Sequence, residues 1–147
     1  MSHRIVIRDE YREELRGYDV PPGKDGFADA NLEGAELSGA LLQNANLRGA
    51  DLYWAILFRA DLSGANLENA ILCGADLKEA RLIGANLRGA NLSRDNVGGS
   101  TQLEGAIFTD AVLDGKTRLE GATYDEKTVF PAGFDPIEAG MVHANAS

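Results

Sequence analysis

From Ala30 to Arg94 the chain is an unbroken series of thirteen five-residue blocks, ANLEG AELSG ALLQN ANLRG ADLYW AILFR ADLSG ANLEN AILCG ADLKE ARLIG ANLRG ANLSR. Every one opens on Ala and carries Leu at its third place. A fourteenth block, Asp95 to Gly99, keeps the step with Val97 at the third place and Asp95 where Ala belongs. Eight of the fourteen end in Gly and two in Asn.

Neither regular element accommodates a period of five. On an α-helix five residues advance about 500°, which spreads successive leucines around all sides. A Gly every fifth residue would also cost each helix about 1 kcal/mol per Gly. On a flat strand an odd period sends alternate leucines to opposite faces. A chain that keeps every Leu on one side must bend once per block, and Gly or Asn at the fifth place accepts the positive φ or tight turn that this needs. Ala then points inward where space is short. The expected result is a coil of square section with four blocks per circuit, its circuits stacked at strand spacing, about 4.8 Å.

The A-(D/N)-L-x-x pattern resembles the pentapeptide repeat proteins, over roughly Phe27 to Phe130. The tail YDEKTVFPAGFDP is similar to the ending of many bacterial members. The resemblance implies an all-β fold, a right-handed quadrilateral parallel β-helix of about five coils, with caps at both ends. It delivers no single function. Some members resemble B-DNA in width and charge and bind DNA gyrase in its place, so a DNA-mimicking modulator of gyrase or topoisomerase is one implied function.

We divide the chain into an N-terminal cap (1–26), the repeat coil (27–130) and a C-terminal cap or tail (131–147). His3 to Arg8 alternates like a short strand, and Asp9 is placed to cap a helical turn through Tyr11 to Leu15, closed by Gly17. Tyr124, Phe130 and Phe134 are large enough to plug the last circuit, and the composition of residues 143–147 reads as disordered. The step of five breaks twice, near Gly98-Gly99-Ser100 and near Lys116-Thr117. An unpaired carboxylate is costly at an inward place. An irregular loop at Asp95, Gly98, Gly99 and Ser100 is therefore expected to expose Asp95, either as a tolerated insertion or as a recognition loop.

The second, fourth and fifth places face water. Asn46, Asn66 and Asn86 form one column whose amides are expected to bond along it; Arg48, Glu68 and Arg88 form another of alternating sign. Tyr53, Trp54, Ile56 and Phe58 break the polar rule within six residues, and Ile71 and Cys73 follow one circuit on. This apolar patch is the candidate protein interface. The other readings are that Ile5, Val6 and Ile7 fold back over it, or that a homodimer hides it.

Sites of chemistry are wanting. His3 and His143 have no metal-like spacing, Cys73 has no neighbouring His, and one cysteine excludes an intramolecular disulfide. Asp51, Asp61 and Asp76 fall on three different sides and make no carboxylate pair. No cofactor motif is present. Two glycosylation triplets, at Asn91 and Asn145, read as coincidence without a signal peptide. The net charge of −9 argues against direct nucleic-acid binding. No run approaches the roughly 20 apolar residues of a membrane span. We therefore expect a cytoplasmic, non-enzymatic interaction scaffold without cofactor or metal, its protein partner unidentified. The acid excess concentrates late: residues 100–147 hold 8 acids against 3 bases. Arg48, Arg59, Arg81, Arg88 and Arg94 interrupt the acids of the regular coil, which is where the chain departs from the long acidic rows implied for a gyrase mimic.

Overall fold

The computed structural model describes residues 3–146. Parallel bridges join positions one circuit apart along four ladders: Asn31–Asp51–Ile71–Asn91, Glu36–Ile56–Asp76, Leu41–Asp61–Arg81 and Asn46–Asn66–Asn86. Successive blocks fall on successive ladders, and the fifth block returns above the first. The third-place leucines from Leu32 to Leu92 all lie inside, together with the first-place alanines, of which only Ala45 is partly exposed; Leu41, at a second place, is exposed. No helix forms among the described residues.

The backbone account explains the second place of the block. Its own N–H donates to the first-place carbonyl one circuit below, as Asp51 does to Ala30 (2.9 Å). The third and fifth N–H donate upward, Leu52 to Ile71 (2.7 Å) and Trp54 to Cys73 (3.1 Å), and the next Ala closes a turn, Ala55 to Leu52 (3.0 Å). The fourth N–H has no backbone partner. The second-place side chain takes it: Asp51 accepts from Tyr53 N (3.0 Å), Asp61 from Ser63 N (3.0 Å), Asp76 from Lys78 N (3.0 Å) and Asn91 from Ser93 N (3.1 Å). Short Asx side chains suit this two-residue reach. The Asn column is mainly this device; along its length Asn86 donates to Asn66 (3.4 Å), while Asn46 donates instead to Asp25 (3.4 Å). In the charged column, Arg48 pairs with Glu68 (3.6 Å).

The fifth place has two causes. Its φ is positive even where the residue is not Gly, as at Trp54 (59°), Arg59 (57°) and Asn69 (60°). In addition, a large fifth-place side chain folds upward over the fifth place of the next circuit. A Cβ on Gly64 would collide with Asn44 Oδ1. Gly is there because its lower neighbour occupies the space a side chain would need.

Three insertions interrupt the step of five, and the first and third depart from the expected register. First, Gln102 pairs with Asp76, so residues 95–100 are a single inserted loop and not a fourteenth block plus one. Val97 is consequently exposed (80%) and Thr101 takes the inward place, fully buried. Second, the pairing of Arg118 with Asn91 confirms one extra residue before Thr117. Third, Ile107 pairs with Val129, so another residue is added before Thr128, and Phe130 rather than Val129 faces in. Each insertion ends in a Thr whose hydroxyl donates to a carbonyl of the circuit below: Thr101 to Leu72 (3.2 Å), Thr117 to Leu87 (2.8 Å) and Thr128 to Leu103 (2.9 Å).

At the N-terminal end β1 (His3–Arg8) pairs antiparallel with β2 (Glu14–Val20). The helical turn expected over Tyr11–Leu15 does not form. Asp9 Oδ1 accepts instead from Tyr11 N and Glu13 N (2.9 Å each), tying a tight turn between two strands whose ladder joins six residue pairs. The hairpin closes the first circuit: Ile7 enters the core and Arg8 O accepts from Leu41 N (2.7 Å). At the other end Phe130 packs on Phe108, Tyr124 and Phe134 at centroid distances of 6.1, 5.5 and 5.0 Å. Then β4 (Val142–His143) pairs parallel with β3 (Thr123–Tyr124). The segment expected to be disordered is thus ordered through Ala146, where an N–H donates to His143 O (2.9 Å); Ser147 lies outside the described residues.

Leu62→Ala is expected to lower stability by about 3 kcal/mol through lost burial and a residual cavity. Glu33→Ala, at an exposed fourth place, should stay within about 0.5 kcal/mol. Chemical denaturation followed by circular dichroism measures both; equal losses would contradict the inward phase.

Candidate interaction surface

The six apolar patch residues divide between two corners. Ile71 stands on the first ladder, and Tyr53, Trp54 and Cys73 belong to the corner after it. Ile56 stands on the second ladder next to it, and Phe58 lies at the far corner of that side, under the Arg59 guanidinium (5.1 Å to the ring centroid). The N-terminal hairpin seals the end of the coil and leaves Trp54 (48%), Ile56 and Ile71 exposed. Cys73 is buried, its Sγ 3.8 Å from Asn91 O. Burial pushes its thiol pKa up, so it is a poor nucleophile near neutral pH.

Trp54 is the most constrained of these side chains. It sits in the left-handed region (φ 59°), costly for a bulky residue. Its ring packs on Tyr53 (4.9 Å between centroids) and stands over Gly74, where a Cβ would collide with indole Cδ1. Its Nε1–H donates to Asp95 Oδ2 (2.5 Å). Asp95 was expected to be exposed by the loop; it is buried (7%). The loop folds around the carboxylate rather than ejecting it, because Trp54 on one side and the Val97 N–H (2.9 Å) and Gly99 N–H (2.5 Å) on the other supply the donors it needs. Burial pushes the Asp95 pKa up, but these hydrogen bonds outweigh it and the net shift is downward. Burial also raises the Tyr53 phenol pKa, as does the Asp95 charge.

Sequence reasoning placed Tyr53, Trp54, Ile56 and Ile71 in one area but missed Val97, which the anchored loop carries at its tip, and missed the coupling of Trp54 to Asp95. The signal for that coupling is a large fifth-place residue followed twenty positions on by Gly74. Asp51, Asp61 and Asp76 each cap a local amide, as described, and are spent on the coil. Among the described residues His143 packs on Tyr124 (5.2 Å) with Glu126 at 3.8 Å, far along the chain from His3 at the opposite end.

A second feature lies beyond Phe58. A groove of about 730 Å³ follows the third ladder from the hairpin turn at Tyr11, past Leu41, Phe58, Arg81 and Ile107, to Lys127.

A profile of pentapeptide repeats matches residues 27–63 and 55–94, in 8 copies. A pentapeptide repeat protein from Nostoc PCC 7120, alr5209, is 38% identical over 77% of this chain and 84% of its own, with a TM-score of 0.44. This chain belongs to the pentapeptide repeat family. A pentapeptide repeat protein of the Arabidopsis thaliana thylakoid lumen, AT2G44920, is 30% identical over 65% of this chain and 66% of its own, with a TM-score of 0.53. QnrB1, a plasmid-mediated fluoroquinolone resistance protein, is 22% identical over 78% and 67%, with a TM-score of 0.42. No match is found among curated proteins. Pentapeptide repeat proteins are in general structural repeat proteins without catalysis, and the family is known for right-handed quadrilateral β-helices. No helix among the described residues is long and apolar enough to cross a membrane.

Gly74→Ala is expected to expel the indole from its corner, shifting Trp54 emission to the red and lowering the melting temperature. Gly84→Ala, where the same positive φ holds but nothing lies within 4 Å of a new Cβ, should cost only about 1 kcal/mol and leave the emission unchanged. A second expectation concerns pH. Since the folded Asp95 pKa is lowered, its contribution is complete above the ordinary carboxylate value of about 4 and is lost as pH falls through the lower folded value. Trp54 emission should therefore titrate below about pH 4, and Asp95→Asn should abolish that transition.

Proposed function

We propose that this pentapeptide repeat protein is a non-catalytic interaction scaffold: a right-handed, four-sided coil of about five circuits between caps at 1–26 and 131–147, presenting a fixed corner to a protein partner in the cytoplasm. One observation carries the reading. Trp54 is half exposed yet held on three sides by Tyr53, Gly74 and Asp95, so the corner is preformed and loses little conformational entropy on binding. Bulky residues in the left-handed region persist where the surroundings over-determine them, and they cluster at functional positions. The contact surface we assign is Tyr53, Trp54, Ile56 and Ile71, extended by Val97; Cys73 forms its floor and Phe58 belongs elsewhere. The partner is another protein or a second copy of the chain. The test is Trp54→Ser combined with Val97→Ser. Loss of dimer in sedimentation, or of partner capture from the host, with an unchanged melting curve is the expected result. If oligomeric state and capture are both unaltered, the corner is not an interface.

The acidic last third favours a second reading, a gyrase-directed DNA mimic. Against it, Asp114, Asp125 and Asp135 accept backbone amides at turns and are not displayed as a row. A supercoiling assay with gyrase decides between the two: the scaffold reading expects no effect at micromolar protein, and inhibition would put the mimic first.

A further inference from the structure

The groove on the third ladder has its own chemistry. Its floor cannot be joined by an added strand, because the floor backbone is already paired: Asp61 N–H donates to Ala40 O and Arg81 N–H to Ala60 O (2.9 Å each), while Arg81 O and Ile107 O accept from Leu62 and Leu82 (2.7 Å each). An occupant must be recognised by side chains. At the hairpin end an apolar group, Leu41 (40% exposed), Phe58 and Tyr11 (79% exposed), stands beside two acids, Glu10 and Asp9; Asp9 is committed to the turn amides, and the turn is moored to the coil through Arg8 O.

Toward the other end the charges are unevenly committed. Arg59 Nε pairs with Glu79 Oε2 (3.0 Å). Asp61 accepts from Ser63 N (3.0 Å) and Gln43 Nε2 (3.1 Å). Arg81 and Lys127 form no salt bridge among the described residues. In a chain of net charge −9, two uncommitted cations therefore flank Ile107 at this end of the groove. The ladder from Leu41 to Val129 spans four steps of strand spacing, roughly 19 Å, the length of about six extended residues.

We propose that this groove binds an extended acidic segment of a partner protein, lying along the coil axis with an apolar side chain against Tyr11, Leu41 and Phe58 and carboxylates against Arg81 and Lys127. The proposal deepens the scaffold reading, on which it rests, by naming the chemistry of one partner segment.

The test is selection of a random twelve-residue peptide library on phage against the full chain. Recovered peptides are then synthesised and measured by fluorescence anisotropy against the wild type, Arg81→Glu/Lys127→Glu and Trp54→Ser. Melting curves by circular dichroism establish that each variant is folded. The expected peptides combine an aromatic or aliphatic residue with Asp or Glu. They should lose at least tenfold in affinity on the Arg81→Glu/Lys127→Glu protein, and regain it when their acids are replaced by Lys. Binders indifferent to Arg81 and Lys127 but lost in Trp54→Ser would overturn the groove and leave the scaffold reading standing. Absence of any specific binder would count against both.

Discussion

Four leucines per circuit converge on an axis so narrow that only Ala fits beside them. This constraint governs everything outside it. With the third place inward and the first place restricted to a methyl group, each block has three positions left, and two of those are partly taken by backbone needs. The second place must silence the fourth amide; the fifth must turn the chain and, at many corners, shelter beneath its lower neighbour. Only the fourth place, and those second and fifth places where the rule is broken, are free to carry specificity.

The broken places are therefore informative. Leu41, Ile56, Ile71 and Arg81 occupy second places without the oxygen that caps the fourth amide in neighbouring blocks. Three of these face the Trp54 corner or the groove floor, and the fourth is a groove cation. Trp54, Arg59 and Glu79 likewise hold fifth places at positive φ, where Gly would be the relaxed choice. The local rules are relaxed at the two surfaces that have most to offer a partner.

How far the sequence could be read follows the same division. Inward phase, four-block circuits and the aromatic plug were legible because they depend on repeated residues whose burial is a matter of size and polarity. The insertion at Asp95 was misjudged because a step count cannot separate a block with a weak third place from an excursion; Val97 is apolar, and only pairing of Gln102 with Asp76 shows that Thr101 takes the inward place. Asp95 was expected outside since a lone carboxylate inside is unfavourable, but its donors come from Trp54, 41 residues earlier, and from its own loop. The hairpin was mistaken for a helical turn because an Asp that caps a turn offers the same acceptor to either. The groove was invisible, being made by a cap leaning on a coil side.

The stacking of large fifth-place side chains over glycines has a consequence for how such a chain can grow. Along one corner the residues run Asp29, Gly49, Asn69, Gly89, and along the next Gly34, Trp54, Gly74, Arg94, Gly121. These corners have a true repeat of two circuits, not one. Duplicating residues 50–69 alone would set Trp upon Trp and Asn upon Asn at these corners, whereas duplicating forty residues preserves the alternation. At these two corners the unit by which the chain lengthens without repair is thus twice the unit by which it coils.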